Sequence, residues 1–131
     1  MAIVVFQHEA HEDSGRLGVI LQGYGHRLRV VKLYNGGVMP ADLDDVDGVV
    51  SMGGSANVDQ RGEKPWIDQE IAFLKRAHEA ELPVVGVCLG AQLIAAALGG
   101  EVAAMQKPEV GWQGVRLAFP GTIDAIYAGI R

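Results

Sequence analysis

The chain opens on an unbroken apolar run, Ala2 to Phe6 (AIVVF), which predicts a buried strand. Gln7 to Asp13 (QHEAHED) is almost wholly polar and reads as a loop. Ser14 to Gln22 predicts a helix with Asp13 or Ser14 as cap, Leu17, Val19, Ile20 and Leu21 as apolar contacts, and Gly23 and Gly25 as its stop. Leu28 to Leu33 alternates Arg29 and Lys32 with valines, the habit of a strand near a sheet edge. A turn-rich stretch (YNGGVMPADLDD) leads to a third strand, Val46 to Met52, followed at once by Gly53-Gly54-Ser55. Asn57 to Lys64 is a polar loop. Pro65 suits a first helical position, and WIDQEIAFLKRAHEAE carries an apolar stripe at Ile67, Ile71, Leu74 and Ala77. His78 lies beside that stripe as a surface or boundary residue.

Pro83 then introduces Val84, Val85, Gly86 and Val87, a short β-branched run that predicts a strand buried on both faces. Ala91 to Leu98 predicts a helix, closed by Gly99-Gly100. Beyond it the pattern predicts a short strand at Glu101 to Met105, a turn at Gln106 to Gly111, and a strand at Trp112 to Phe119 with Trp112 in the core. Pro120-Gly121 is a turn before a short last segment. Strands alternating with helices in this order predict an α/β fold, a doubly wound, mostly parallel sheet flanked by helices. Ligand sites in such sheets lie at the carboxyl ends of the strands.

Bulk properties narrow the classes. The 131 residues make one domain, with no repeat or linker to divide them. A net charge of −5 without a basic run argues against nucleic acid and anionic membranes as partners. The single cysteine cannot close an internal disulfide and fits a reducing cytoplasm. The N-terminal stretch lacks a basic n-region, and the longest apolar stretch, Val84 to Leu98, is too short to span a bilayer.

Chemistry concentrates at that cysteine. Cys88 stands where strand turns into helix, in G-V-C-L-G, with glycines at −2 and +2. A nucleophile elbow needs this spacing because side chains flanking so tight a turn collide. The following helix would aim its free N–H groups and positive dipole end at the sulfur, surroundings suited to a nucleophilic thiolate and to an oxyanion. A structural core cysteine is the plain alternative; two glycines with a helix behind them favour the elbow. Gly53-Gly54, at another strand's carboxyl end, lets backbone N–H groups approach a ligand, or forms a plain turn. His8 and His11 lack a third metal ligand at a recognisable spacing and read as a solvated loop beside the site. Asp42, Asp44, Asp45 and Asp47 lack the glycine and closing glutamate of a calcium loop and read as a solvated turn.

Together these motifs resemble the class I glutamine amidotransferases, particularly stand-alone proteins similar to the amidotransferase domain of GMP synthase. PVVGVCLGAQLIAAALGG looks like the family's nucleophile motif, with its CxGxQ core. VVSMGGSANVD is similar to its oxyanion strand, with Ser55 where the family usually has proline. PEVGW, Pro108 to Trp112, is similar to a Glu-Ile-Gly-Trp segment, and PWIDQE fits the family's helix start. The resemblance implies a flavodoxin-like fold and hydrolysis of L-glutamine without metal or cofactor. It implies that Cys88 attacks the side-chain amide. The N–H groups of Gly54 and Leu89 would form the oxyanion hole, and Gly53, Gly54 and Gln92 would bind substrate. Ammonia would pass to a synthetase or other acceptor partner.

One departure matters. The family's catalytic histidine and glutamate lie near the domain's C-terminus, whereas His8, His11, His26 and His78 all precede Cys88. The expectation is therefore that residues 1–131 form an incomplete amidotransferase-like domain, at best a weak glutaminase alone, whose uncovered sheet favours homo-oligomers. A γ-glutamyl peptidase of the same superfamily, another cysteine-elbow protein, and a non-catalytic binding or regulatory remnant stay open as alternatives.

Overall fold

A computed structural model of the chain describes residues 1–130. Four parallel strands form one sheet in the order β2-β1-β3-β4: β1 (Ala2–Gln7), β2 (Leu28–Lys32), β3 (Val46–Ser51) and β4 (Val84–Gly86). Helix α1 (Gly15–Gly23) links β1 to β2, α2 (Trp66–Glu79) links β3 to β4, and α3 (Leu89–Ala97) follows β4. This is the flavodoxin-like, doubly wound order, and its winding reverses between β1 and β3. The carboxyl ends of those two strands therefore diverge into a crevice. The β1–β3 register shifts once, between Ala2 and Ile3, and is regular from there on, with Phe6 opposite Ser51 and Ser51 opposite Gly86.

Alternation along β1 assigns the two faces. Val4 and Phe6 point to the side carrying α2 and α3, where they pack with Val49, Ile67, Phe73, Leu74, Ala77, Leu89 and Leu93. The rings of Phe6 and Phe73 meet edge to face at 5.3 Å. Ile3 and Val5 point the other way, with Val50, under Leu17 and Leu21 of α1. The stripe predicted on α2 holds, and Phe73 joins it.

Four expectations give way. Val19 and Ile20 of α1 are exposed, because only Leu17 and Leu21 reach the sheet. β4 is not buried on both faces: it is the sheet's outer strand, and Val85, at the margin of the face that α1 covers, is 49% exposed, with Val87 42% exposed just beyond the strand. Glu101–Met105 and Trp112–Phe119 form no strands, since neither pairs with the sheet; beyond α3 the described residues hold only a 3₁₀ turn, Gly121–Ile123. Trp112 is fully exposed and packs in no core. No helix among the described residues is long and apolar enough to cross a membrane.

Candidate active site

β4 ends at Gly86, α3 begins at Leu89, and Cys88 makes the bend between them with φ 53° and ψ −109°. That is the region of the first central residue of a type II′ turn, which glycine normally fills. A non-glycine residue there carries strain of about 1–3 kcal/mol. Both flanking glycines are required by contact. A β-carbon at Gly86 would come within 2.6 Å of the Ala91 nitrogen, and one at Gly90 within 2.6 Å of the Ser51 carbonyl carbon. The first turn of α3 is thus pressed onto the end of β3. Cys88 is a free, exposed thiol at the N-cap of α3, which excludes a buried structural cysteine.

The structure brings the other predicted positions to the same end of the sheet. Gly53 and Gly54 follow β3, and a β-carbon on Gly53 would lie 3.5 Å from Cys88 Cβ. Among the described residues, neither the Gly54 nor the Leu89 N–H donates to a protein acceptor. Leu89 is the first residue of α3, where a free N–H is inherent to the helix. Gln92 lies one helical turn beyond Cys88, its N–H bonded to the Cys88 carbonyl. The Gln92 Oε1 accepts from the Val58 N–H at 3.4 Å. Gln92 also lines a cleft between residues 57–59 and the segment 102–109.

His8 departs from its expected place in a solvated loop. It is buried at the end of β1, its ring stacked 4.9 Å from that of Trp66. Its Nε2 lies 2.7 Å from Glu70 Oε2, and its Nδ1 lies 3.2 Å from the Gly53 carbonyl oxygen. Ser51 Oγ donates to the other oxygen of the Glu70 carboxylate. Burial alone lowers the pKa of His8. The hydrogen bond and charge of Glu70, with the Gly53 and Met52 carbonyls, outweigh it and hold the pKa above its ordinary 6.5. His11, by contrast, is exposed beside Glu9 and Glu12, an acidic surface group that does not include His8.

The β1–α1 loop also grips the far side of the glycine pair. Glu9 Oε1 accepts from the Ser55 N–H at 2.7 Å. Hydrogen bonds from the Ser55 side chain and backbone hold the Glu9 carboxyl below its ordinary pKa. A proline at this position would have no N–H to give. Ser55 thus gains by hydrogen bond some of the restraint a ring would supply.

Sequence reasoning passes over Glu70 and Ser51. The one signal for them is a carboxylate inside an apolar stripe: Glu70 lies three residues after Ile67 and four before Leu74. A charge at a core position needs a buried partner.

An exposed cysteine at a strained strand-to-helix bend and a glycine pair at the adjoining strand end define an α/β protein with its candidate site at the carboxyl ends of the strands. Residues 19–121 match the family model described as glutamine amidotransferase class-I. The chain belongs to that family. It is 31% identical over 117 residues to the glutamine amidotransferase-like protein YfeJ of Salmonella typhimurium, a match covering 87% of this chain and 49% of that protein. It is 41% identical over 73 residues to the glutamine-hydrolysing GMP synthase of Symbiobacterium thermophilum, covering 56% of this chain and 13% of that one. Among solved structures, SMU.1228c superposes with a TM-score of 0.91 at 30% identity, covering all of this chain and 57% of that one. A glutamine amidotransferase from Methylobacillus flagellatus superposes at 0.82 with 31% identity, covering 93% and 49%. The chain spans half or less of the length of the curated relatives it matches.

Proposed function

We propose that this chain carries the nucleophile and oxyanion half of a glutamine-hydrolysing centre. The observation that carries the reading is the strained, solvent-facing Cys88 set against Gly53, with unpartnered N–H groups at Gly54 and Leu89. Cys88 Sγ attacks the side-chain amide carbon of L-glutamine. The amide oxygen becomes an oxyanion that accepts from the Gly54 and Leu89 N–H groups. Collapse breaks the C–N bond, releases ammonia once the nitrogen is protonated, and leaves a γ-glutamyl thioester. Water then hydrolyses the thioester to glutamate. Gln92, one turn from the nucleophile and lining the adjoining cleft, holds the body of the substrate with Gly53 and Gly54. The ammonia serves an acceptor reaction on a synthetase partner, as the names of the GMP synthase relatives suggest.

Proton transfer is the weak point. The one buried imidazole near the site, His8, is engaged by Glu70 and Gly53 and is not bonded to the sulfur. No histidine follows Cys88 in the 131 residues. Residues 1–131 assayed by themselves, with no base at the sulfur, are therefore expected to turn over about three orders of magnitude or more below a complete triad. The test is labelling with the glutamine analogue diazo-oxo-norleucine, located by mass spectrometry, beside ammonia release from glutamine. An adduct confined to Cys88 with slow turnover is expected. A folded protein that takes no label would overturn the reading.

A further inference from the structure

His8 is joined to the glycine pair by a peptide plane. The Gly53 carbonyl oxygen can only accept, so the hydrogen bond with His8 requires a proton on Nδ1. The Gly53–Gly54 bond is trans, so its carbonyl and N–H point in opposite directions from one rigid plane. Whatever holds the oxygen therefore aims the N–H. The glycines themselves supply no such restraint, because glycine tolerates both orientations of the plane.

The support behind His8 is continuous. Glu70 of α2 receives Nε2 on one carboxylate oxygen and the Ser51 hydroxyl on the other, and Trp66 covers the imidazole ring. His8, Ser51 and Glu70 are all buried, and no buried side-chain polar atom among the described residues lacks a partner. Close packing on the other side fixes the residue after the peptide. A β-carbon on Gly54 would sit 3.0 Å from His8 Cβ and 3.2 Å from Leu89 Cδ2.

From this geometry we infer that His8, braced by Glu70 and Ser51, is a positioning residue: it pins the Gly53 carbonyl so that the Gly54 N–H points away from the imidazole and into the crevice beside Cys88. The inference rests on the glutaminase reading for its consequence, but not for its geometry. His8 touches neither substrate nor sulfur. It acts by removing the freedom of the one peptide whose orientation decides whether an oxyanion is met by a donor or by a carbonyl.

Two substitutions separate the two ring nitrogens. In His8→Asn the amide nitrogen stands near Nδ1 and retains a donor to Gly53. In His8→Gln the amide reaches toward Glu70 and the Gly53 bond is lost. Cys88 labelling by diazo-oxo-norleucine, whose ketone uses the oxyanion donors, is compared with labelling by iodoacetamide, which does not. H8Q is expected to slow analogue labelling roughly tenfold or more while iodoacetamide reacts within about twofold of the parent rate, and H8N to recover most of the analogue rate. Glu70→Gln, which keeps the shape and loosens the brace, should show the same selective loss to a smaller degree and serves if H8Q does not fold. In carbon-13 spectra the Gly53 carbonyl resonance should move in H8Q and stay in H8N. A folded H8Q that keeps the parent analogue rate, equal losses with both reagents, or an unmoved Gly53 resonance in H8Q would each overturn the inference. If the parent protein takes no analogue, the glutaminase reading fails, and the carbonyl resonance still decides the positioning.

Discussion

Cys88 keeps a conformation that a glycine would hold without strain, and that has a measurable consequence. Replacing it by glycine removes the β-carbon from a φ of 53° and should raise unfolding free energy by about 1 kcal/mol while abolishing labelling. Urea denaturation checks this; a less stable C88G variant would show that the bend is relaxed. His8 carries a second consequence, with a definite sign. Its pKa is raised in the folded protein, so its stabilising effect is complete below the unfolded value of about 6.5 and is lost as pH rises through the higher folded value. The urea midpoint should therefore fall as pH climbs above 6.5, and H8Q should flatten that slope. A midpoint that rises over the same range contradicts it. The two residues differ in how readable they are. Cys88 announces itself within five letters, because the constraint on the elbow is local. His8 does not, because what removes it from water is Glu70, 62 residues away. A polar stretch such as QHEAHED looks solvated until the partner is in place.

At the scale of elements, the contact between α3 and β3 sets the site. Gly90 allows the helix to lie on the Ser51 backbone, and the Val87 N–H bonds the Ser51 carbonyl at 2.9 Å. Gly90→Ala must drive the helix off that strand, since backbone cannot swing aside as a flexible side chain can. A loss of about 1–3 kcal/mol or more is expected, with slower labelling of Cys88. Gly62→Ala, in open space, is the control and should change little. Comparable stability of the two variants by urea denaturation would mean that the interface is looser than described. The strands of the first half and the three helices were legible because each carries its own period and its own stop. The predicted strands at 101–105 and 112–119 rest on the same kind of local pattern, yet a strand exists only by pairing, and these segments have no neighbour in the sheet. Likewise β4 looks fully buried by its valines, but its place at the outside of the sheet is a property of topology that three letters cannot carry.

At the scale of the whole molecule, the two faces of the sheet are unequally covered. α2 and α3 close one face, while α1 alone serves the other, leaving Val30 43% and Val85 49% exposed at its two margins. β2 and β4 also present unpaired edges. The segment beyond α3 adds Val110, Trp112, Val115, Phe119 and Ile126, all exposed. Scattered apolar residues are ordinary on a surface, but an uncovered sheet face beside open strand edges is a template for another chain. The net charge of −5 opposes association only weakly at physiological salt, where repulsion is screened beyond about 8 Å. The isolated chain should therefore self-associate at micromolar concentration, and raising salt should strengthen the association. Val85→Lys places a charge on the uncovered face without touching Cys88, the glycine pair or the His8 brace, and should shift the population toward monomer. Light scattering across a dilution series measures both effects. A parent chain that stays monomeric throughout, or a V85K variant that associates as tightly as the parent, would show that this face does not drive assembly.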